Sequence, residues 1–160
     1  MTVIKAMITV AIVLVSFGCH TKSQDSQVEI TLAEPLAYSR VFTDSTGASH
    51  FADNKMDFSL VDYAPPAPPI SISEILKADS VSFISSPPGW FGTWHPVPRQ
   101  QYVIILSGEL EVEVSDGEKR RFGPGDVCFV EDTIGQGHIS RVTSAERCYA
   151  VVVPLADALY

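Results

Sequence analysis

Cysteine is scarce in this chain: Cys19, Cys128 and Cys148 are the only three, and they form no CxxC pair and no Cys/His set with zinc spacing. A structural zinc site built on thiolates is therefore excluded. Basic charge is also short, with 11 Lys and Arg against 19 Asp and Glu and a net charge of −8. Such a balance gathers no counter-charge for nucleic acid or an anionic membrane surface and argues against both as partners. The one basic cluster, Lys119-Arg120-Arg121, follows Asp116 and Glu118 and reads as a solvated strand face. A glycine-rich phosphate loop, a Ser-His-Asp arrangement, a nucleophilic cysteine with a base nearby and an internal repeat are all missing. The longest uncharged apolar run, residues 6–18, falls short of the ~20 residues that a transmembrane helix needs.

What is present begins with that run. Lys5 precedes it, and Gly18 and Cys19 close it, which is the pattern of an export signal. Gly18-Cys19 resembles the end of a bacterial lipoprotein signal, in which the cysteine is lipidated and becomes the new N-terminus; plain secretion is the alternative. Residues 1–18 are thus expected to be a signal peptide and 19–27 a polar tether. The protein is expected across the inner membrane, periplasmic or held at the membrane only by a lipid on Cys19. Removing the signal leaves the chain more acidic still, since it carries no Asp or Glu.

Residues 28–80 read as an arm. Arg40-Val41-Phe42-Thr43 and His50-Phe51-Ala52 flank Asp44-Ser45-Thr46-Gly47, a turn suited to a hairpin. Tyr63-Ala64-Pro65-Pro66-Ala67-Pro68-Pro69 favours extended polyproline II and a rigid strap over the domain. Ser71-Ile72-Ser73-Glu74 has capping-box spacing and predicts one helical turn.

Residues 81–156 read as all β. Val81-Ser82-Phe83-Ile84 predicts a strand and residues 102–106 another, while Leu110, Val112 and Val114 alternate with Glu109, Glu111 and Glu113 as one buried and one wet face. Asp116-Gly117 and Gly123-Pro124-Gly125-Asp126 are turns, and residues 127–130, 138–142 and 147–153 complete a series of short strands, as in a sandwich or barrel. Trp90, Phe91 and Trp94 could line a pocket or pack a rim, and Trp94 must face away from His95 if both share a strand. Arg99 could take an anionic ligand group or pair with a surface acid.

The spacing Gly89, His95, Val97, Gln101, Gly108, followed by Gly125-Asp126, Glu131, His138 and Val142, resembles the two motifs of the cupin superfamily. The resemblance covers roughly residues 81–154 and is similar to small bacterial cupins with a proline-bearing arm. It implies a jelly-roll β-barrel with a central pocket, a homodimer as a common assembly, and in enzymatic members a metal held by three imidazoles and a carboxylate. Two of those ligands are replaced here, by Val97 and by Gln101. A divalent transition metal wants several converging donors, and two imidazoles are too few. The reading that follows is a small-molecule pocket lined by His95, Gln101, His138, Trp94 and Val97 with a degenerate metal site and no cofactor. The alternative is a metal-dependent oxygenase or isomerase with His95, Gln101 and His138 as ligands, with Asp132, Glu131 or His50 as further donors that spacing does not place there. The implied fold also puts the strand at residues 101–107 between those carrying Cys128 and Cys148. Strands two places apart lie ~9–10 Å apart, beyond the reach of a disulfide. Both thiols are expected free and buried.

Overall fold

The computed structural model describes residues 29–156, so the signal, the tether and Cys19 lie outside the described residues. Eleven strands are described: β1 (Leu36–Thr43), β2 (Ser49–Met56), β3 (Ser59–Val61), β4 (Ile70–Ile72), β5 (Ser82–Ser86), β6 (Gln101–Ser107), β7 (Leu110–Val114), β8 (Lys119–Phe122), β9 (Val127–Val130), β10 (His138–Val142) and β11 (Cys148–Pro154). They form a six-stranded sheet in the order β2-β1-β9-β6-β11-β5, a three-stranded sheet β10-β7-β8, and a small hairpin β3-β4. The fold is all-β, as the strand pattern of the sequence implies.

The two larger sheets meet on their apolar faces. Paired residues of an antiparallel ladder share a face, and the register matches Val103 to Cys128 on one side and to Val152 on the other. It likewise matches Val112 to Ser140. Val41, Phe51, Ile105, Val112, Val114, Phe122, Val130 and Val152 make the core. Each such side chain contributes roughly 1.5–3 kcal/mol on burial. The N-terminal hairpin belongs to this core, because β1 pairs parallel with β9 and brings Val41 and Phe51 inside.

Three expectations are corrected. Ser71 to Glu74 opens no helical turn: β4 pairs with β3, and the Ser71 hydroxyl accepts from the Ala33 N–H at 2.9 Å instead of capping a helix. The proline segment is the exposed loop joining β3 to β4, tightened by a bond from Ala67 N–H to the Ala64 carbonyl at 3.0 Å. The basic cluster is not wholly a solvated face. Lys119 and Arg121 point outward to Glu113 and Glu111, but alternation turns Arg120 inward, its guanidinium 4.8 Å from the centre of the Phe51 ring and bonded to Asp53, Glu118 and Ser39. On the outer face Glu111 is buried between Arg121 and Arg141; burial raises its pKa, and the two guanidinium bonds outweigh that and hold the carboxyl below its usual value.

Strand β6 does lie between β9 and β11, and Cys128 and Cys148 are free and buried. Burial pushes the Cys128 thiol up to about 12 and raises Cys148 as well, so neither is a nucleophile.

At one end of the barrel His50 bridges two turns, with Nε2 2.9 Å from Asp44 and Nδ1 2.6 Å from Asp116. Bonds to both carboxylates raise its pKa. Those of Asp44 and Asp116 are lowered, chiefly by bonds from Thr46 and from the Glu118 N–H. A histidine raised on folding stabilises the fold fully below its unfolded value of 6.5 and stops doing so as pH climbs through its folded value. The aspartates contribute above 3.8 and lose that contribution as pH falls through their lowered folded values. Replacing His50 by Gln is therefore expected to lower the melting temperature more at about pH 5 than at about pH 9. Thermal unfolding of both proteins at the two pH values checks this; an equal loss at both would contradict it.

Candidate functional site

The site lies where the segment ahead of β6 closes over β10. Residues 90–95 run antiparallel to β10 as a further, irregular strand, tied by Gly92 N–H to Ser140 O at 2.9 Å and Val142 N–H to Trp90 O at 2.9 Å. At its end His95 and His138 exchange backbone bonds, at 3.0 and 3.1 Å. This places the two imidazoles side by side, ring centres 4.9 Å apart and tilted by 50°.

Each ring is fixed by its Nδ1. That of His95 donates to the Thr93 carbonyl at 2.8 Å, and that of His138 lies 2.7 Å from Asp132 Oδ2 in a fully buried contact. Both rings therefore turn Nε2 away from the backbone. His138 is buried and Asp132 wholly so, whereas His95 is exposed. The other carboxylate oxygen, Asp132 Oδ1, is buried without a hydrogen-bond partner.

Inside the barrel a cavity of about 50 Å³ is lined by Gln101, Ser140 and His138 and by apolar side chains including Val103, Ile105, Val112 and Phe122. Of the residues expected here from sequence, Gln101 and His138 line this cavity. His95 stands against His138 but outside the lining, Val97 is packed in the core, and Trp94 is exposed and also outside the lining. Arg99 is paired with Asp79 at 2.9 Å. Glu131 is held by Arg40 and Gln100, and His50 by its two aspartates, so neither approaches the histidines. A larger open cleft of about 420 Å³ lies on the far side of Phe122, between β1 and β8, and its Arg120 is already engaged by Asp53 and Glu118.

Sequence reasoning names Asp132 only as a further donor that spacing does not place, and misses Gly137. Asp132 continues the alternation Cys128, Val130 past the end of β9 and so faces inward beneath His138; that period-two step was the available signal. Gly137 was missed because its role is long-range. Its φ is +74°, and a Cβ there would sit 2.0 Å from the His95 carbonyl oxygen.

Residues 82–154 match the family model described as Cupin domain. The barrel belongs to the cupin superfamily. This cupin is 36% identical over 53 residues to Oryzines biosynthesis cluster protein J of Aspergillus oryzae, a match covering 33% of this chain and only 30% of that relative's length. A Cupin 2 conserved barrel domain protein from Salinispora arenicola CNS-205 is 19% identical, with 64% of this chain and 76% of that one covered and a TM-score of 0.41. The DMSP lyase DddQ from Ruegeria pomeroyi DSS-3 is 23% identical, with 64% and 49% covered and a TM-score of 0.41.

Cupins often hold a divalent metal, and the donors here can be weighed against one. Both histidines have the tautomer a metal ligand needs, with Nδ1 occupied by an oriented acceptor. The donor count does not suffice: Val97 offers nothing, Gln101 a neutral carboxamide, and no three His, Cys, Asp or Glu converge among the described residues. The set does not fit a tightly held transition metal.

Changing Gly137 to Ala is expected to cost at least about 2 kcal/mol, from a strained backbone and a clash with residue 95. Denaturant unfolding measures the loss, and amide exchange should show the His95 and His138 N–H groups deprotected first. A near-neutral G137A with both amides protected would refute this account of the bridge.

Proposed function

We propose that this cupin binds a small organic molecule inside its barrel and holds no resident metal. One observation carries the reading: three polar groups, the His138 ring, the Gln101 carboxamide and the Ser140 hydroxyl, face a cavity that is otherwise apolar. A few polar groups converging on an apolar pocket is the usual composition of a ligand site. The cavity volume restricts the ligand to a compact molecule, well below the ~300 Å³ where drug-sized sites begin. Fold alone assigns no activity, and the reading rests on the site.

The same proposal places the protein in the bacterial envelope, anchored through a lipid on Cys19. It is supported by the apolar run ending in Gly18-Cys19. Intact mass of the protein from the membrane fraction should give an acylated chain beginning at Cys19; a chain retaining Met1 would refute it.

Two measurements test the site. Metal analysis after exhaustive dialysis should find no stoichiometric transition metal in the natural protein, and should find one in the double variant Val97→His with Gln101→Glu, which supplies the missing donors. Bound metal in the natural protein would overturn the reading in favour of the metal-dependent oxygenase or isomerase. Titration with acetamide and propan-2-ol should move the backbone amide signals of Val112 and Ser140. Movement only around Tyr38 and Arg120 would locate binding in the outer cleft and reject the barrel as the site.

A further inference from the structure

The cavity's polar groups are not equivalent, because one of them has its hydrogen-bonding sense set from behind. Asp132 is 0% exposed and reaches His138 with Oδ2 alone, 2.7 Å from Nδ1. A carboxylate oxygen accepts, so the bond is donated by the ring's Nδ1–H, and in that tautomer the ring presents a lone pair at Nε2. His95 repeats the arrangement beside it: the Thr93 carbonyl can only accept, which again puts the proton on Nδ1.

Asp132 is an expensive way to hold a ring. Its second oxygen is buried and unpaired, a desolvation penalty that a serine or a backbone carbonyl in its place would avoid. Purely structural histidines are held more cheaply, as His95 is. A buried carboxylate does what a neutral acceptor does less well: it fixes one tautomer and one ring orientation.

We infer that the Asp132–His138 pair makes the cavity a receptor for a hydrogen-bond donor: a compact, uncharged molecule carrying a hydroxyl or an amide N–H, which it gives to His138 Nε2. Gln101 and Ser140 take the remaining polar atoms of that molecule. Among the described residues no Lys or Arg lines the cavity, so a carboxylate or phosphate would enter with its charge unpaired and close to the Asp132 carboxylate. Molecules that carry only acceptors would face the lone pair and be discriminated against. A site built for a partner hydrogen bond rejects the analogue that lacks it far more strongly than an apolar wall rejects a misfit. The inference rests on the barrel being the ligand pocket, and it narrows the class of ligand.

Two probes of one heavy-atom skeleton decide it: propan-2-ol, a donor, and acetone, an acceptor only. The full chain, labelled with ¹⁵N, is examined at about pH 8. The ring spectrum of His138 should show Nδ1 protonated and Nε2 bare. Propan-2-ol should shift the Nε2 resonance and bind at least about tenfold more tightly than acetone, a gap of the size expected for one hydrogen bond. If Nε2 carries the proton, or if acetone moves the Val112 and Ser140 signals at equal or lower concentration, the inference is overturned while the pocket stands. If neither probe moves those signals, the pocket reading falls and takes the inference with it.

Discussion

A single backbone bridge holds the site together, in which His95 and His138 each donate an N–H to the other's carbonyl. Together with the Gly92–Ser140 and Val142–Trp90 bonds it makes residues 90–95 an edge of the small sheet and carries one imidazole to within 4.9 Å of the other. The bridge forms only because residue 137 has no side chain. Ser49 supports it from the opposite side: its hydroxyl, fully buried, donates to the Gly137 carbonyl at 2.6 Å and accepts from the Ser115 N–H at 2.7 Å. Three turns distant in sequence are fixed by one oxygen, and the turn beside Ser49 is further locked by His50.

The barrel keeps the outer framework of a metal site without its inner donors. The acceptors that orient the rings, Asp132 and the Thr93 carbonyl, are in place, whereas the positions that should add two ligands hold Val97 and Gln101. A rigid ring orientation retains a use when no metal is bound, since it fixes the direction in which a lone pair points. On the proposed reading, that is the physical link between the two missing donors and a selective pocket.

Much of the fold could be read from the chain because strand alternation is local. Leu110, Val112 and Val114 declare the buried face of β7 without reference to any other strand, and the turn at Asp44 to Gly47 declares the first hairpin. The order β9-β6-β11, and with it the separation of Cys128 from Cys148, came from the resemblance to cupins and not from the residues. Register across distant strands left no such mark. Nothing local to Gly137 shows that residue 95 passes within contact, and nothing in Ser71 to Glu74 shows that β3 waits to pair with β4, so a good helix cap was overruled by a ladder. The place of Arg120 is not legible in its charge, which by itself implies solvent; its guanidinium lies over Phe51 with Asp53 and Glu118 as partners. The site was half legible for the same reason: the histidines stood at motif spacing, while Asp132 needed the strand face to be followed past the strand's end.

The parallel pairing of β1 with β9 bears on the order of assembly. Ser39, Arg40 and Val41 match Cys128, Phe129 and Val130, so nearly all of the chain between them must emerge before the first hairpin finds its place. Contacts so far apart in sequence close slowly, since a long loop loses its freedom before any bond rewards it. The N-terminal hairpin is thus made first and seated last. Until it docks, Val41 and Phe51 are missing from the core and the edge of β9 stands open, so the half-folded barrel exposes apolar surface and a strand edge that the finished one covers.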